Sequence, residues 1–208
     1  MRYSKTHCEE KEHYVGVFCS ADDKISDRYK EEAWVLGKAI SNEGYHLVTG
    51  GSCTGLMNAV INGFVFQKNQ GKMKGIIPSV FKEYNVHHPQ IVKKNLVWTD
   101  NLYQRLEIFQ NTCDTLIVLP GGFGTLHELM DFLVARQFGI TNKKIILLNL
   151  DCFWDYLLQQ FKVMVVKNVL PQKHLDLLTI VTKVSECIKE IQMREQQNYG
   201  LNYRFWEK

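Results

Sequence analysis

The chain has 208 residues, a formal net charge of +3, and 45% hydrophobic against 23% charged residues. That balance suits one folded domain with a sizeable core and argues against a disordered chain. The small positive charge, without a long basic run, gives no support to a nucleic-acid surface, and no apolar stretch has the length of a membrane span.

Residues 1–13 are polar and lack the apolar centre of a signal peptide, so a cytoplasmic protein without a membrane partner is expected. Residues 14–18 read as a short buried strand, followed by a polar turn over 20–24. Residues 29–43 then show helical spacing, with Ala33, Leu36, Gly37 and Ile40 on one face and Gly44 as the stop. The next strand covers 45–48 and ends in a glycine-rich turn; 56–66 reads as a helix and 73–77 as a strand. An irregular loop over 78–90 carries His87, His88 and Pro89. Residues 91–98 read as a strand and 102–110 as a helix. The apolar run at 115–119 is a further strand, and it leads through a second glycine-rich turn into a helix ending near Gln137. Strand 145–149, helix 153–166, strand 178–181 and a helix from 184 to about 196 complete the pattern.

Repeated βα units with apolar strands predict an α/β fold, a doubly wound, mostly parallel sheet of about six or seven strands with helices on both faces. Residues 14–197 are read as one domain. Residues 1–13 form a polar extension, and 198–208 an aromatic tail that either docks on the domain or joins an oligomer contact. The six cysteines (Cys8, Cys19, Cys53, Cys113, Cys152, Cys187) stand far apart with no CxxC pair, so they are read as reduced and mostly structural, and no metal is expected. The adjacent His87 and His88 are weak evidence for a metal on their own.

The chemistry is expected at the two turns, Thr49-Gly50-Gly51-Ser52-Cys53-Thr54-Gly55 and Pro120-Gly121-Gly122-Phe123-Gly124-Thr125. In a parallel sheet, ligands bind outside the carboxyl ends of strands, where free amides and the positive pole of a helix favour an anion. Neither turn is a dinucleotide fingerprint. Ser52 stands where GxGxxG needs a glycine, and no Asp or Glu occurs from Gly44 to Lys82 to grip a ribose. The absence of GxxxxGK[ST] excludes an ATPase P-loop. A monophosphate suits these turns better than a dinucleotide. Thr125-x-x-Glu128 also has the spacing of a capping box, which would leave Glu128 a structural role only. His127 is read as solvent-facing.

Pro120-Gly-Gly-Phe-Gly-Thr-Leu-His-Glu128 resembles the PGGxGTxxE motif of the LONELY GUY family. Thr49-Gly-Gly-Ser-Cys-Thr-Gly-Leu-Met57 is similar to that family's YGGGxxGLM segment. Phe18-Cys19, Ile76-Ile-Pro78, His88-Pro89 and Gln137-Phe-Gly-Ile140 fall in the same order, so the likeness runs from about residue 14 to 192. The resemblance implies a Rossmann-like homodimer without a cofactor. Such an enzyme hydrolyses the N-glycosidic bond of a purine riboside 5′-monophosphate to the free base and ribose 5-phosphate. It implies Arg105 and Glu128 as the catalytic pair. It assigns substrate or phosphate contacts to Gly50, Gly51, Ser52, Gly55, Met57, Gly121, Gly122, Gly124, Thr125 and Asp131.

Several positions depart from the family pattern: Leu106 where a lysine is usual, Asn85 for a pocket glutamate, Val134-Ala135 for Thr-Trp, and Ser20-Ala21 for Gly-Ser. They touch pocket shape and phosphate charge, so the base preference is open to differ from that of cytokinin precursors, with plain AMP taken as the default. They also leave room for a second reading, a non-catalytic binder of a phosphorylated ligand resembling molybdenum-cofactor carriers. A third, pyridoxal-phosphate-dependent lysine decarboxylation, needs a Schiff-base lysine that no motif here suggests.

Overall fold

Runs of branched and aromatic residues form the strands β1 (Tyr14–Phe18), β2 (His46–Thr49), β3 (Met73–Pro78), β4 (Leu96–Thr99), β5 (Thr115–Val118), β6 (Lys144–Leu148) and β7 (Thr179–Val181). The computed structural model describes residues 12–67 and 71–193. All neighbouring strands pair in parallel, in the order β4-β3-β2-β1-β5-β6-β7. Helices α1 (Asp27–Asn42), α2 (Gly55–Phe66), α3 (Leu102–Thr112), α4 (Phe123–Gln137), α5 (Asp155–Val166) and α6 (Val184–Gln192) connect them.

A parallel sheet buries both faces, and here each face has its own apolar layer. On one side Val15, Val17 and Leu47 pack with Leu36 of α1, Val60 of α2 and Cys187 of α6. On the other, Phe18, Val48 and Val118 pack with Phe109 of α3, Phe132 of α4 and Trp154 before α5. Helices α1 and α2 approach backbone to backbone: a Cβ on Gly37 would meet the Val60 carbonyl oxygen at 1.9 Å, and one on Gly63 the Trp34 carbonyl oxygen at the same distance. Any side chain at either place would drive the two helices apart.

The strand order reverses at β1. From there the chain winds outward through β2, β3 and β4, then returns to the other side of β1 as β5 and continues outward through β6 and β7. The crevice at the carboxyl ends of β1 and β5 is therefore the switch point, where open α/β sheets hold their ligands.

The predicted strand over 91–98 is mostly a loop. Only Leu96–Thr99 joins the ladder, starting from the pairing of Gly75 with Leu96, while Lys93–Asn95 is a 3₁₀ turn. Ile91 is buried as an anchor of that loop rather than as a strand residue. Ser79–Tyr84, read as irregular, is also a 3₁₀ turn, and Asn85 ends it in the left-handed region at φ 48°. Cys19, Cys113 and Cys187 are buried free thiols whose pKa values burial pushes up, Cys113 and Cys187 to about 12. The aromatic tail at 198–208 and nearly all of the polar extension lie outside the described residues.

Candidate functional site

Three loops meet at the switch point. The Ser20 amide donates to the Pro120 carbonyl at 3.0 Å, which ties the end of β1 to the second glycine turn. The first turn is stitched to the long loop: Cys53 N–H reaches the Val86 carbonyl at 2.7 Å, and His88 N–H the Gly51 carbonyl at 2.8 Å. Ser52 pairs with His87 in an isolated antiparallel bridge. Between these loops lies a cavity of about 540 Å³, within the size range of small-molecule sites.

The two helix starts differ. At α2 the Gly55 amide donates to the Asp23 carboxylate (2.7 Å) and the Leu56 amide to the Ser20 carbonyl (2.9 Å). Gly55 sits at φ +59°, and its Cα is so close to the Ala21 backbone that a Cβ would come within 2.6 Å of it. At α4, Gly122 is the N-cap and no side chain caps the helix. Among the described residues, no protein acceptor takes the amides of Phe123, Gly124 or Thr125. A Cβ on Gly122 or Gly124 would meet nothing within 4 Å. The α4 start thus offers open donors and a positive pole to an anion.

Arg105 of α3 and Glu128 of α4 come from neighbouring helices and form an ion pair with side chains only 10% and 5% exposed. Arg105 Nη1 donates to Glu128 Oε1, its Nε donates to the Ile76 carbonyl at 3.0 Å, and its guanidinium lies 5.1 Å from the Phe109 ring centre. Gly50 makes room for it, since a Cβ there would fall 2.8 Å from Nη2. Burial holds the Glu128 carboxyl above the usual carboxylate range, outweighing the pull of Arg105. A buried ion pair contributes little net stability compared with apolar side chains. Its position facing a cavity therefore points to chemistry rather than to architecture.

This geometry excludes the capping box. The helix begins at Phe123, so Thr125 lies inside its first turn, and the Glu128 side chain is turned to Arg105 instead of to its own helix end. His127 is exposed. Of the residues singled out from sequence, the cavity gathers Gly50, Ser52, Met57, Arg105, Gly122, Gly124, Thr125 and Glu128. It does not gather the other four. Gly51 turns its Cα toward Ile77 and Gly75, Gly55 backs onto Ala21, and Gly121 lies beneath the Thr125 side chain. Asp131, on the same face of α4 one turn further from the helix start, accepts from Gln110 Nε2 at 2.7 Å, a second link between α3 and α4 that lies beyond the cavity lining.

Sequence reading missed the apolar wall made by Ile77, Pro78, Phe81, Val86 and Leu102, and also missed Asp22, although it placed Ser20 and Ala21 among the positions that shape the pocket. The wall comes from the end of β3, the long loop and the start of α3, so no local pattern joins its members. The polar turn after the first strand was the only available signal for Asp22. Among the described residues, no group of three or more His, Cys, Asp or Glu is placed to hold a metal, and no helix is long and apolar enough to cross a membrane.

The model of a family described as "Possible lysine decarboxylase" matches residues 57–191. The chain is 29% identical over 160 residues to a probable cytokinin riboside 5′-monophosphate phosphoribohydrolase of Oryza sativa subsp. japonica, spanning 77% of this chain and 69% of that protein. It is 30% identical over 144 residues to the cytokinin riboside 5′-monophosphate phosphoribohydrolase LOG5 of Arabidopsis thaliana, spanning 69% of this chain and 61% of the relative's own length. Among solved structures, the molybdenum cofactor binding protein of the phototrophic bacterium Rippkaea orientalis superposes with a TM-score of 0.65 at 26% identity, over 88% of this chain and 96% of that one.

Proposed function

The chain belongs to the LONELY GUY family, the one whose model carries the lysine-decarboxylase description, and on that premise we propose that it is a nucleoside 5′-monophosphate phosphoribohydrolase. Its substrate is a purine riboside 5′-monophosphate carrying adenine or an N6-modified adenine. The observation that carries this reading is the buried Arg105–Glu128 pair facing the same cavity as the open amides of α4.

The phosphate sits on the amides of Phe123, Gly124 and Thr125, which supply donors and a positive pole without reorganising. The purine lies against the apolar wall of Phe81, Val86 and Leu102. This orientation sets the anomeric carbon over the ion pair. A water oxygen bonds to C1′ as the C1′–N9 bond breaks, and the departing base takes up a proton. Glu128, in its carboxylate form, orients that water and stabilises the positive charge that grows on the sugar. Arg105 keeps Glu128 in place and offers its remaining N–H groups to the phosphate or the leaving base. Among the described residues no lysine lines this cavity, so none of them offers an amine for a Schiff base there.

The test is direct: purified protein incubated with AMP should release adenine and ribose 5-phosphate, and the Glu128→Gln variant should fold yet lose about 10²- to 10⁴-fold in rate. A protein that binds AMP without releasing adenine would instead support the carrier reading, which the likeness to the Rippkaea orientalis protein favours.

The partner is a second copy of the chain. Helix α5 buries none of its residues, and between α4 and α5 runs an apolar groove of about 200 Å³ lined by Met130, Leu133, Leu158 and Phe161. Val134, Val163 and Val166 are exposed on the same helices, and apolar surface of this kind is buried in homodimers. Sedimentation equilibrium should give twice the chain mass; a value of one chain mass excludes the dimer.

A further inference from the structure

The cavity holds a second carboxylate that neither the family motif nor the ion pair accounts for. Asp22 lines it from the turn between β1 and α1. That turn is held on several sides. Asp22 N–H donates to Ser20 Oγ at 3.1 Å, and Asp22 Oδ1 accepts from Lys24 N–H at 2.9 Å. The Thr54 hydroxyl donates to the Ala21 carbonyl at 2.7 Å, and Asp23 is fixed on the Gly55 amide. Asp22 is thus oriented by its own backbone and by the first glycine turn. Among the described residues, no protein donor engages its Oδ2.

An ionised carboxylate accepts hydrogen bonds and donates none. Beside a phosphate it repels, so at the two ends of a nucleotide its one match is the adenine N6 amine, and the remaining donors are the sugar hydroxyls between them. The sheet order places it between those ends. The apolar wall comes from the β3 side and the open amides from the end of β5, with β1 lying between them. A sugar that joins base to phosphate must cross the β1 loop. Its vicinal hydroxyls are donors without an assigned acceptor, and a carboxylate is the group that grips such a diol in other doubly wound folds.

We infer that Asp22 accepts hydrogen bonds from the ribose hydroxyls and makes the site select ribonucleotides over 2′-deoxyribonucleotides. This rests on the nucleotide reading of the cavity. A hydrogen bond to a charged group is worth about 10- to 100-fold in discrimination.

The experiment compares AMP with 2′-deoxy-AMP and with IMP, by adenine or hypoxanthine release and by calorimetric binding, for the parent protein, Asp22→Asn and Asp22→Ala. The parent should prefer AMP to 2′-deoxy-AMP by about 10-fold or more. Asp22→Ala should erase most of that preference, chiefly by weakening AMP, with unchanged circular dichroism. Asp22→Asn, which retains the acceptor for Lys24, should fall between. An unchanged sugar preference in both variants overturns the inference, as does a variant that alters AMP against IMP instead. Adenine release with intact sugar discrimination in Asp22→Ala sinks the role of Asp22 alone. Binding without release, with discrimination lost in the variant, sinks the hydrolase and leaves Asp22 standing. Binding of neither nucleotide sinks both.

Discussion

The two glycine turns look alike in sequence and do opposite work. Each follows a buried strand and opens a helix, yet the α2 start is closed by the chain itself, while the α4 start is left open. Asp23 supplies the negative charge that a phosphate would bring, and it reaches the Gly55 amide from the loop after β1. The glycines of this first turn answer to backbone geometry, with Gly51 at φ +74° and Gly55 at φ +59°. In the second turn Gly122 and Gly124 have no protein atom for a Cβ to strike. The space beside them is open. A glycine-rich turn at a helix start is therefore not yet an anion site; what matters is whether the protein has already filled it.

The largest effect that can break this comparison comes from the residue facing the open turn. Glu128→Gln should cost the 10²- to 10⁴-fold in turnover set out above. The parent should also show an acid limb, activity falling as the pH drops through a value above the 4.5 of an ordinary glutamate, because burial raises that carboxyl and only its ionised form acts. The Gln variant should have no such limb, which a kcat/KM profile reads directly. Next in size are the glycines themselves. Gly55→Ala should lower stability by about 2–4 kcal/mol, from the left-handed backbone and from overpacking against Ala21, with a melting temperature down by roughly 5–10 °C. Gly124→Ala should melt within a degree or two of the parent yet raise KM for AMP by about 10-fold, since the methyl group occupies the phosphate's place. If the two alanines exchanged these effects, the division between the turns would be lost.

Much of the fold was legible because it is written locally. The apolar runs at 14–18, 115–119 and 145–149 are too short and too branched for helices, and in the structure they are the central strands. The stretch over 91–98 misled because Ile91 and Val92 look like the start of a strand, whereas ladder pairing begins only at Leu96. For the site, spacing alone could not tell a capping glutamate from one paired with a distant arginine. Glu128 and Arg105 lie 23 positions apart and on different helices. The same non-locality hid Asp23 as the cap of α2 and Gln110 as the partner of Asp131. Only the topology brings such residues together or separates them.

The central claim is that a phosphate is held at the α4 start and not at the α2 start. A titration of the ¹⁵N-labelled protein with ribose 5-phosphate, followed amide by amide, tests it most directly. The account predicts large shifts at Phe123, Gly124 and Thr125, with Gly55 and Leu56 nearly still. Dominant shifts at Gly55 and Leu56, with the α4 amides unmoved, would contradict it.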